Sequence, residues 1–308
     1  MTTILPFYVA RKNCGQHIPT YTIGSTNTFG EQHTDFYQEN GGAQVIDYMI
    51  TICPKCLFVD YTDNFEAIQE PYVQADSMWE EMDKLKTKYT TTMQYSLLAE
   101  RLEKENANPL DIADSYLKAS WSERMLYSQD NLNEGEKRPA DSKDMERQCQ
   151  QKAVEYFVKA ICEDKNKGSA YLLYIIAELL RRTEDFTRAG EFFKKAQLAI
   201  TEEKYFSVVL EDAGARKTDV AKEIRKLTSM EKKKSLELVD NVPAIIFKNL
   251  LLEAAEEKAA YFRTFGAKMV IKGEPGFPSH RIGFLRLIEK MNEFTEQNDG
   301  SPKVMREL

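Results

Sequence analysis

The chain has 308 residues, 42% of them hydrophobic and 30% charged, and a formal net charge of -7. That length allows about two domains and a sizeable core, and the composition is that of an ordinary globular chain rather than a disordered or membrane protein. The acidic balance repels duplex nucleic acid unless a local basic patch governs the contact.

From Ile4 to Phe65 the texture is that of strands and turns. Tyr21, Ile23, Val45, Tyr48, Ile50 and Ile52 are β-branched or aromatic, and Gly24, Gly30, Gly41 and Gly42 punctuate them. After Pro71 the spacing becomes helical, with Asp76 or Ser77 as an N-cap. Helices are expected at about 76–105, 109–128, 143–163, 168–182, 185–200 and 203–228. The breaks have causes: Asn106-Ala107-Asn108-Pro109 stops one helix and starts the next, and Asp164 to Gly168 is polar and ends in glycine. The charged stretch from Asp130 to Asp144 reads as an exposed insertion. A further helix is expected from Pro243 to Phe265, and Gly273 to Ser279 reads as a rigid loop. Ser279 then caps a last helix with Phe284, Leu287, Met291 and Phe294 on one stripe. The expected division is therefore a β-rich module at 1–70, a helical domain at 71–235 and a helical extension at 236–308.

Ala189, Phe193 and Ala196 repeat the spacing of Ala153, Phe157 and Ala160 at an offset of 36 residues, close to the tetratricopeptide period of about 34. Small residues permit two helices to cross closely, so Ala177 is expected to face Ala189 and Ala196 while Phe193 fills the flank. The best partner for the Ala153 helix is 109–128. The residues of this crossing are structural. A functional surface would be the groove between stacked hairpins, which suits a peptide or a partner helix. The fold class expected is mainly α, a tetratricopeptide-like helical domain with a small zinc-ribbon-like β module.

The chemistry-bearing residues are few. Cys53-Pro54-Lys55-Cys56 is a turn entered from a strand, a spacing that lets two thiolates converge on one metal. Cys14 and His17 have the matching C-x2-H spacing, so Cys14, His17, Cys53 and Cys56 are expected to bind a structural Zn2+, with His33 as a competing fourth ligand. The 35 residues between the pairs exceed the roughly 15 to 20 of common zinc ribbons. A redox C-x-x-C expects a βαβ context that this segment lacks. Cys149 shares a face with Ala153 and Phe157 and reads as a small buried hydrophobe.

No phosphate-binding P-loop, dinucleotide fingerprint, nucleophile elbow or H-E-x-x-H occurs, and the histidines number three. Catalysis is accordingly not expected. Arg216, Lys217, Lys222, Arg225, Lys226 and Lys232 to Lys234 form a basic segment without interleaved aromatics, which reads as a solvated helix face rather than an RNA platform. Five cysteines, an odd number, disfavour a secreted disulfide framework and point to the cytoplasm. The N-terminal residues lack the pattern of an export signal, and no apolar run approaches the roughly 20 residues of a membrane span.

Taken in order, Thr34-Asp35-Phe36, the strand into Cys53-Pro54-Lys55-Cys56, Asp63-Asn64-Phe65, and the stretch from Tyr171 to Ala196 resemble a family of uncharacterised bacterial proteins. Its members join an N-terminal zinc-ribbon-like segment to a C-terminal tetratricopeptide-like region. The resemblance covers about residues 14 to 228. It implies a cysteine where His17 stands and a glycine where Leu57 stands, and it leaves 236–308 as an addition. The function expected is a non-enzymatic scaffold or adaptor that binds protein partners. The rivals are a metal-dependent enzyme using the Cys/His site and a nucleic-acid-binding zinc ribbon.

Overall fold

The computed structural model describes residues 3–11, 13–68, 75–127, 139–163, 169–202, 204–274 and 279–307. In chain order the elements are β1 (Thr3–Ala10), β2 (His17–Ser25), β3 (Ile50–Ile52), β4 (Val59–Tyr61), β5 (Glu66–Ile68), α1 (Ala75–Lys88), α2 (Thr91–Lys104), α3 (Pro109–Leu126), α4 (Ala140–Glu163), α5 (Ala170–Arg182), α6 (Phe186–Glu202), β6 (Phe206–Asp212), α7 (Lys217–Thr228), α8 (Lys232–Asp240), β7 (Ala244–Leu250), α9 (Leu252–Arg263), β8 (Lys268–Gly273) and α10 (Ser279–Glu296). The described residues are mainly helical, with three small antiparallel sheets ordered β2-β1-β5, β3-β4 and β7-β6-β8. The β-texture expected before residue 65 accounts for the first two sheets.

Two compact units divide the chain: 1–196 with 288–308, and 197–287. This differs from the division expected from sequence. The N-terminal strands do not stand apart, because Ile50, Ile52 and Val59 share one core with Tyr95, Leu98, Ala119, Met125 and Cys149 from the helices. The expected junction near residue 70 and most of the insertion at 130–144 lie outside the described residues. So do the break at 164–168, the candidate caps' side chains at 76 and 77, and the loop at 275–278.

In the first unit α2 packs on α3, α3 on α4 and α4 on α5. The one helix expected at 76–105 is two, because Thr90 caps a new start: its Oγ1 accepts the Met93 N–H at 3.3 Å. Asn108 caps α3 through Leu110 N at 2.9 Å with Pro109 in the first turn, and Ser169 caps α5 through Leu172 N at 3.2 Å. The central helix α3 is buried on most sides. Its small residues Ala113, Ala119 and Ser120 are fully covered, and Ser115, Ser120 and Ser122 satisfy their hydroxyls on carbonyls of their own helix. Ala153 and Phe157 of α4, Ala177 of α5, and Ala189, Phe193 and Ala196 of α6 are all buried, and Phe193 meets Tyr174 edge-on at 5.8 Å.

The second unit corrects two expectations. Residues 203–228 were expected as a helix and contain β6 and α7, and 243–265 contain β7 and α9. The run Ser207-Val208-Val209-Leu210 is continuously buried because β6 is the central strand of its sheet, and such a run has no period to tell strand from helix. Ala244-Ile245-Ile246 alternates buried, exposed, buried, a strand pattern adjoining the helical one. Val208, Leu210, Val220, Ile224, Val239, Ala255, Phe262 and Met269 close a core within this unit. A boundary at 235 would cut β6 from both its neighbours.

Gly214 enters α7 at φ +65°, and a Cβ there would lie 2.4 Å from the Gly266 carbonyl oxygen. Only glycine fits that approach. Among the described residues no helix is long and apolar enough to cross a membrane.

Candidate metal centre

Two hairpin turns bring three cysteines together. In the turn from β3 to β4, the Cys53 N–H donates to the Phe58 carbonyl at 2.8 Å and the Leu57 N–H to the Cys53 carbonyl at 2.8 Å. Leu57 has φ +57°, the left-handed conformation that the family resemblance assigns to glycine. In the turn from β1 to β2, the Arg11 N–H donates to the Gln16 carbonyl at 3.2 Å and the Gly15 N–H to the Arg11 carbonyl at 2.8 Å, with Gly15 at φ +64°. Each turn spans six residues between a closing strand pair, Ile52 with Val59 and Ala10 with His17. The hydrogen bonds superimpose Cys14 on Cys56, Gly15 on Leu57 and Arg11 on Cys53.

The Cys14 Sγ lies 3.6 Å from that of Cys53 and 3.7 Å from that of Cys56. Zinc–sulfur bonds of about 2.3 Å in a tetrahedron separate two sulfurs by about 3.8 Å. A disulfide would bring them to about 2.05 Å, and all three thiols are free. The spacing therefore fits three thiolates on one metal ion. Cys53 is fully buried beside Val9, Ile18 and Phe65, Cys14 is half-buried and Cys56 is exposed. Burial pushes the Cys53 thiol up, against backbone N–H groups of Cys56 and Lys55 that favour its thiolate. At Cys56 burial also acts upward, yet the Phe58 N–H, the neighbouring cysteines and the Arg11 charge together hold the thiol below its ordinary value. These donors supply the hydrogen-bonded surroundings that a metal-bound thiolate needs.

Three of the four expected ligands are thus together, and among the described residues no imidazole, that of His17 included, joins the three sulfurs within 4.8 Å. The reason is the turn. Cys14 is the second ligand position of its hairpin, whose first is residue 11, and His17 lies beyond the turn as the first residue of β2. Reading C-x2-H as a ligand pair shifts the register by three. The signal available in the sequence was Gly15, a glycine directly after the cysteine.

His33, the alternative ligand, belongs to another site. Its Nε2 lies 2.7 Å from Glu39 Oε1, and its backbone bridges to Val304. Burial, and then the Arg124 charge, hold its pKa below the usual histidine value. Beside it is a buried charge network. The Asp35 carboxylate, with no exposed surface, meets Arg124 Nη2 at 2.5 Å, Arg182 Nη1 at 2.9 Å and the Trp121 Nε1–H at 3.1 Å. Glu178, equally buried, accepts from Arg181 and Arg182 at 2.8 Å each and from the Thr34 hydroxyl at 2.5 Å. Arg181 also donates to the Ser301 carbonyl at 2.9 Å and to that of Asp299. Burial acts upward on Asp35, and the two guanidiniums outweigh it, holding the carboxyl far below the usual range. The network ties the Thr34-Asp35 loop and the 299–303 segment to α3 and α5. Sequence gave the Thr34-Asp35-Phe36 motif without its partners, since Glu178 lies 144 residues from Thr34.

Residues 14–230 match the profile of a family described as uncharacterized protein conserved in bacteria (DUF2225). The chain belongs to that family. Residues 206–272 match the profile of the ribosomal protein L7/L12 C-terminal domain. Over 74 residues the chain is 42% identical to large ribosomal subunit protein bL12 of Geobacillus stearothermophilus, covering 24% of this chain and 61% of that protein. It is 39% identical over 74 residues to the bL12 of Ectopseudomonas mendocina (strain ymp), covering 24% and 60%, and 38% identical over 71 residues to that of Kineococcus radiotolerans, covering 23% and 56%. The chain thus spans about three fifths of the length of these curated relatives. The segment expected to be an addition, 236–308, in part completes the β7-β6-β8 unit that is similar to bL12.

Proposed function

We propose that the chain is a non-enzymatic adaptor, in which the second unit engages a partner that bL12 also engages at the ribosome and the first unit is a metal-stapled helical scaffold. The observation that carries this reading is the coincidence of the bL12-like stretch with one closed structural unit: residues 206–272 match, and they contain the sheet except its last residue, Gly273, together with its buried core.

A surface opposite in sign to the acidic chain lies on α7 and α8, where Lys217, Lys222, Arg225, Lys226 and Lys232 to Lys234 are exposed. That face suits an acidic protein partner. In the first unit, α2 to α6 fit a short tetratricopeptide-like array. A groove of about 780 Å³ opens beside α2, α3 and α4, lined by Met93, Met145, Glu100, Glu123, Asp141 and Glu155 among others. Its thioethers and carboxylates suit a basic amphipathic segment. Zinc is the metal assigned to the cysteine cluster, on ligand softness and sulfur spacing. The cytoplasm, where thiols stay reduced, is the compartment that suits it.

The test is co-sedimentation of the full chain with purified bacterial ribosomes, and with their high-salt wash proteins, in the presence and absence of excess purified bL12. Binding to either fraction that bL12 lowers, and that a Lys222→Glu, Arg225→Glu, Lys226→Glu variant loses, supports the reading. Absence of binding to both at low salt, or binding that bL12 leaves unchanged, refutes it.

A further inference from the structure

The two hairpin turns are copies of each other in their hydrogen bonds, and their side chains do not match at one place. Position 53 carries a cysteine. Position 11, which makes the same two backbone bonds and precedes the same left-handed residue by four, carries arginine. A pair of such turns supplies four ligands when both first positions are cysteine. Here it supplies three.

The Arg11 side chain crosses to the other turn, with its guanidinium carbon 3.4 Å from the centre of the Phe58 ring. Its buried Nε finds no hydrogen-bond partner among the described residues. Beside the sulfurs is an open cavity of about 460 Å³, lined by Arg11, Cys14, Cys56, Phe58, Arg101 and Lys104 among others. The wall carries three cationic side chains against one carboxylate, Glu100; Arg101 is paired with Asp60 at 2.9 Å, and the remaining balance beside the two thiolates is cationic and favours a small anionic donor from solution.

We propose that the centre is a three-thiolate zinc site whose fourth ligand is exogenous and exchangeable, a small anionic donor admitted through the cavity at Arg11. The inference rests on the metal reading above and goes beyond it, because it assigns an open position where a structural knuckle is closed. Three thiolates on a divalent ion leave one negative charge, which Arg11 neutralises. An added thiol can take the position by giving its proton to the buffer as the resident donor returns to solvent, with no metal bond to the protein broken.

The experiment is zinc-edge X-ray absorption on the full, zinc-loaded chain in chloride-free buffer, with release to a chromophoric chelator measured in parallel. Wild-type protein is expected to show three sulfurs and one oxygen or nitrogen neighbour, and His17→Ala the same shell. Adding 2-mercaptoethanol is expected to convert wild type to four sulfurs. Arg11→Cys is expected to show four sulfurs unaided and to release zinc at least roughly tenfold more slowly, in line with the usual effect of completing a metal's surroundings. An imidazole in the wild-type shell that His17→Ala removes overturns the proposal while leaving the metal reading intact. So does an Arg11→Cys centre that keeps three sulfurs while its circular dichroism is native. Failure of wild type to hold zinc under reducing conditions overturns both, and the two failures are thereby distinct.

Discussion

Replacing Asp35 with Asn removes one negative charge from a place where two guanidiniums depend on it. Arg124 retains Glu146 at 2.9 Å and Arg182 retains Glu178 at 2.8 Å, so each cation loses one of two partners. The amide keeps the size of the carboxylate and its one oxygen can still accept the Trp121 Nε1–H, but its NH2 then faces the Arg124 Nη1–H that Asp35 Oδ1 accepts at 3.3 Å, so the charge and that hydrogen bond are lost together. Removing one member of a buried ion pair costs about 3–5 kcal/mol, because the remaining charge stays desolvated. With a urea slope of about 3 kcal/mol per molar for a unit of this size, the midpoint is expected to fall by about 1–2 M. Trp121 touches the substituted residue, so its fluorescence reports the transition of the first unit.

The pH dependence has a definite sign. The folded-state pKa of Asp35 is lowered relative to its unfolded value. Its contribution is therefore complete above the unfolded value of about 3.9 and is lost as pH falls from there toward the folded value. The gap between wild type and Asp35→Asn should be constant from pH 7 to about pH 5 and shrink below pH 4. A variant within about 0.5 kcal/mol of wild type at pH 7, or a gap unaffected by acid, would refute the reasoning.

Other outcomes follow from backbone positions and the metal cluster. Leu57→Gly should be more stable than Leu57→Ala by about 1 kcal/mol in chemical denaturation of the metal-free chain, because only glycine escapes the left-handed penalty; equal stabilities would count against the turn geometry. Gly214→Ala should cost about 2 kcal/mol or more, given the 2.4 Å approach to the Gly266 carbonyl. Hydrogen exchange in β6 and β8 would report it, and unchanged protection there would contradict the packing. Arg181→Met should loosen the 299–303 segment, seen as faster exchange at the Thr34 amide, which donates to the Lys303 carbonyl at 3.0 Å. Retained protection would mean that the guanidinium is not what holds that segment.

The parts of this fold that local chemistry dictates were legible in the sequence. Asn106-Ala107-Asn108-Pro109 announces a helix stop and the next helix start, and the Ala189-Phe193-Ala196 spacing announces a buried face. Cys53-Pro54-Lys55-Cys56 announces a metal-type turn. What was not legible depended on distant pairing. Val208 to Leu210 read as helix because a strand buried on both faces has no alternation, and its sheet partners are β7 and β8, far along the chain. Glu178, Arg181 and Arg182 carry no local sign of burial in the sequence, since the loop that meets them, with Thr34 on Glu178 and Asp35 on Arg182, comes more than a hundred residues earlier. The fourth ligand is a local ambiguity: Cys14 has no cysteine three residues before it, so its spacing points to His17, which does not join the three sulfurs among the described residues.

The central claim is that two equivalent hairpin turns make one metal centre from Cys14, Cys53 and Cys56. Native mass spectrometry of the full chain purified under reducing conditions addresses it most directly. The account predicts one zinc ion per chain, lost in Cys53→Ser and kept in His17→Ala. A metal-free mass after incubation with zinc, or full zinc retention by Cys53→Ser, would contradict it.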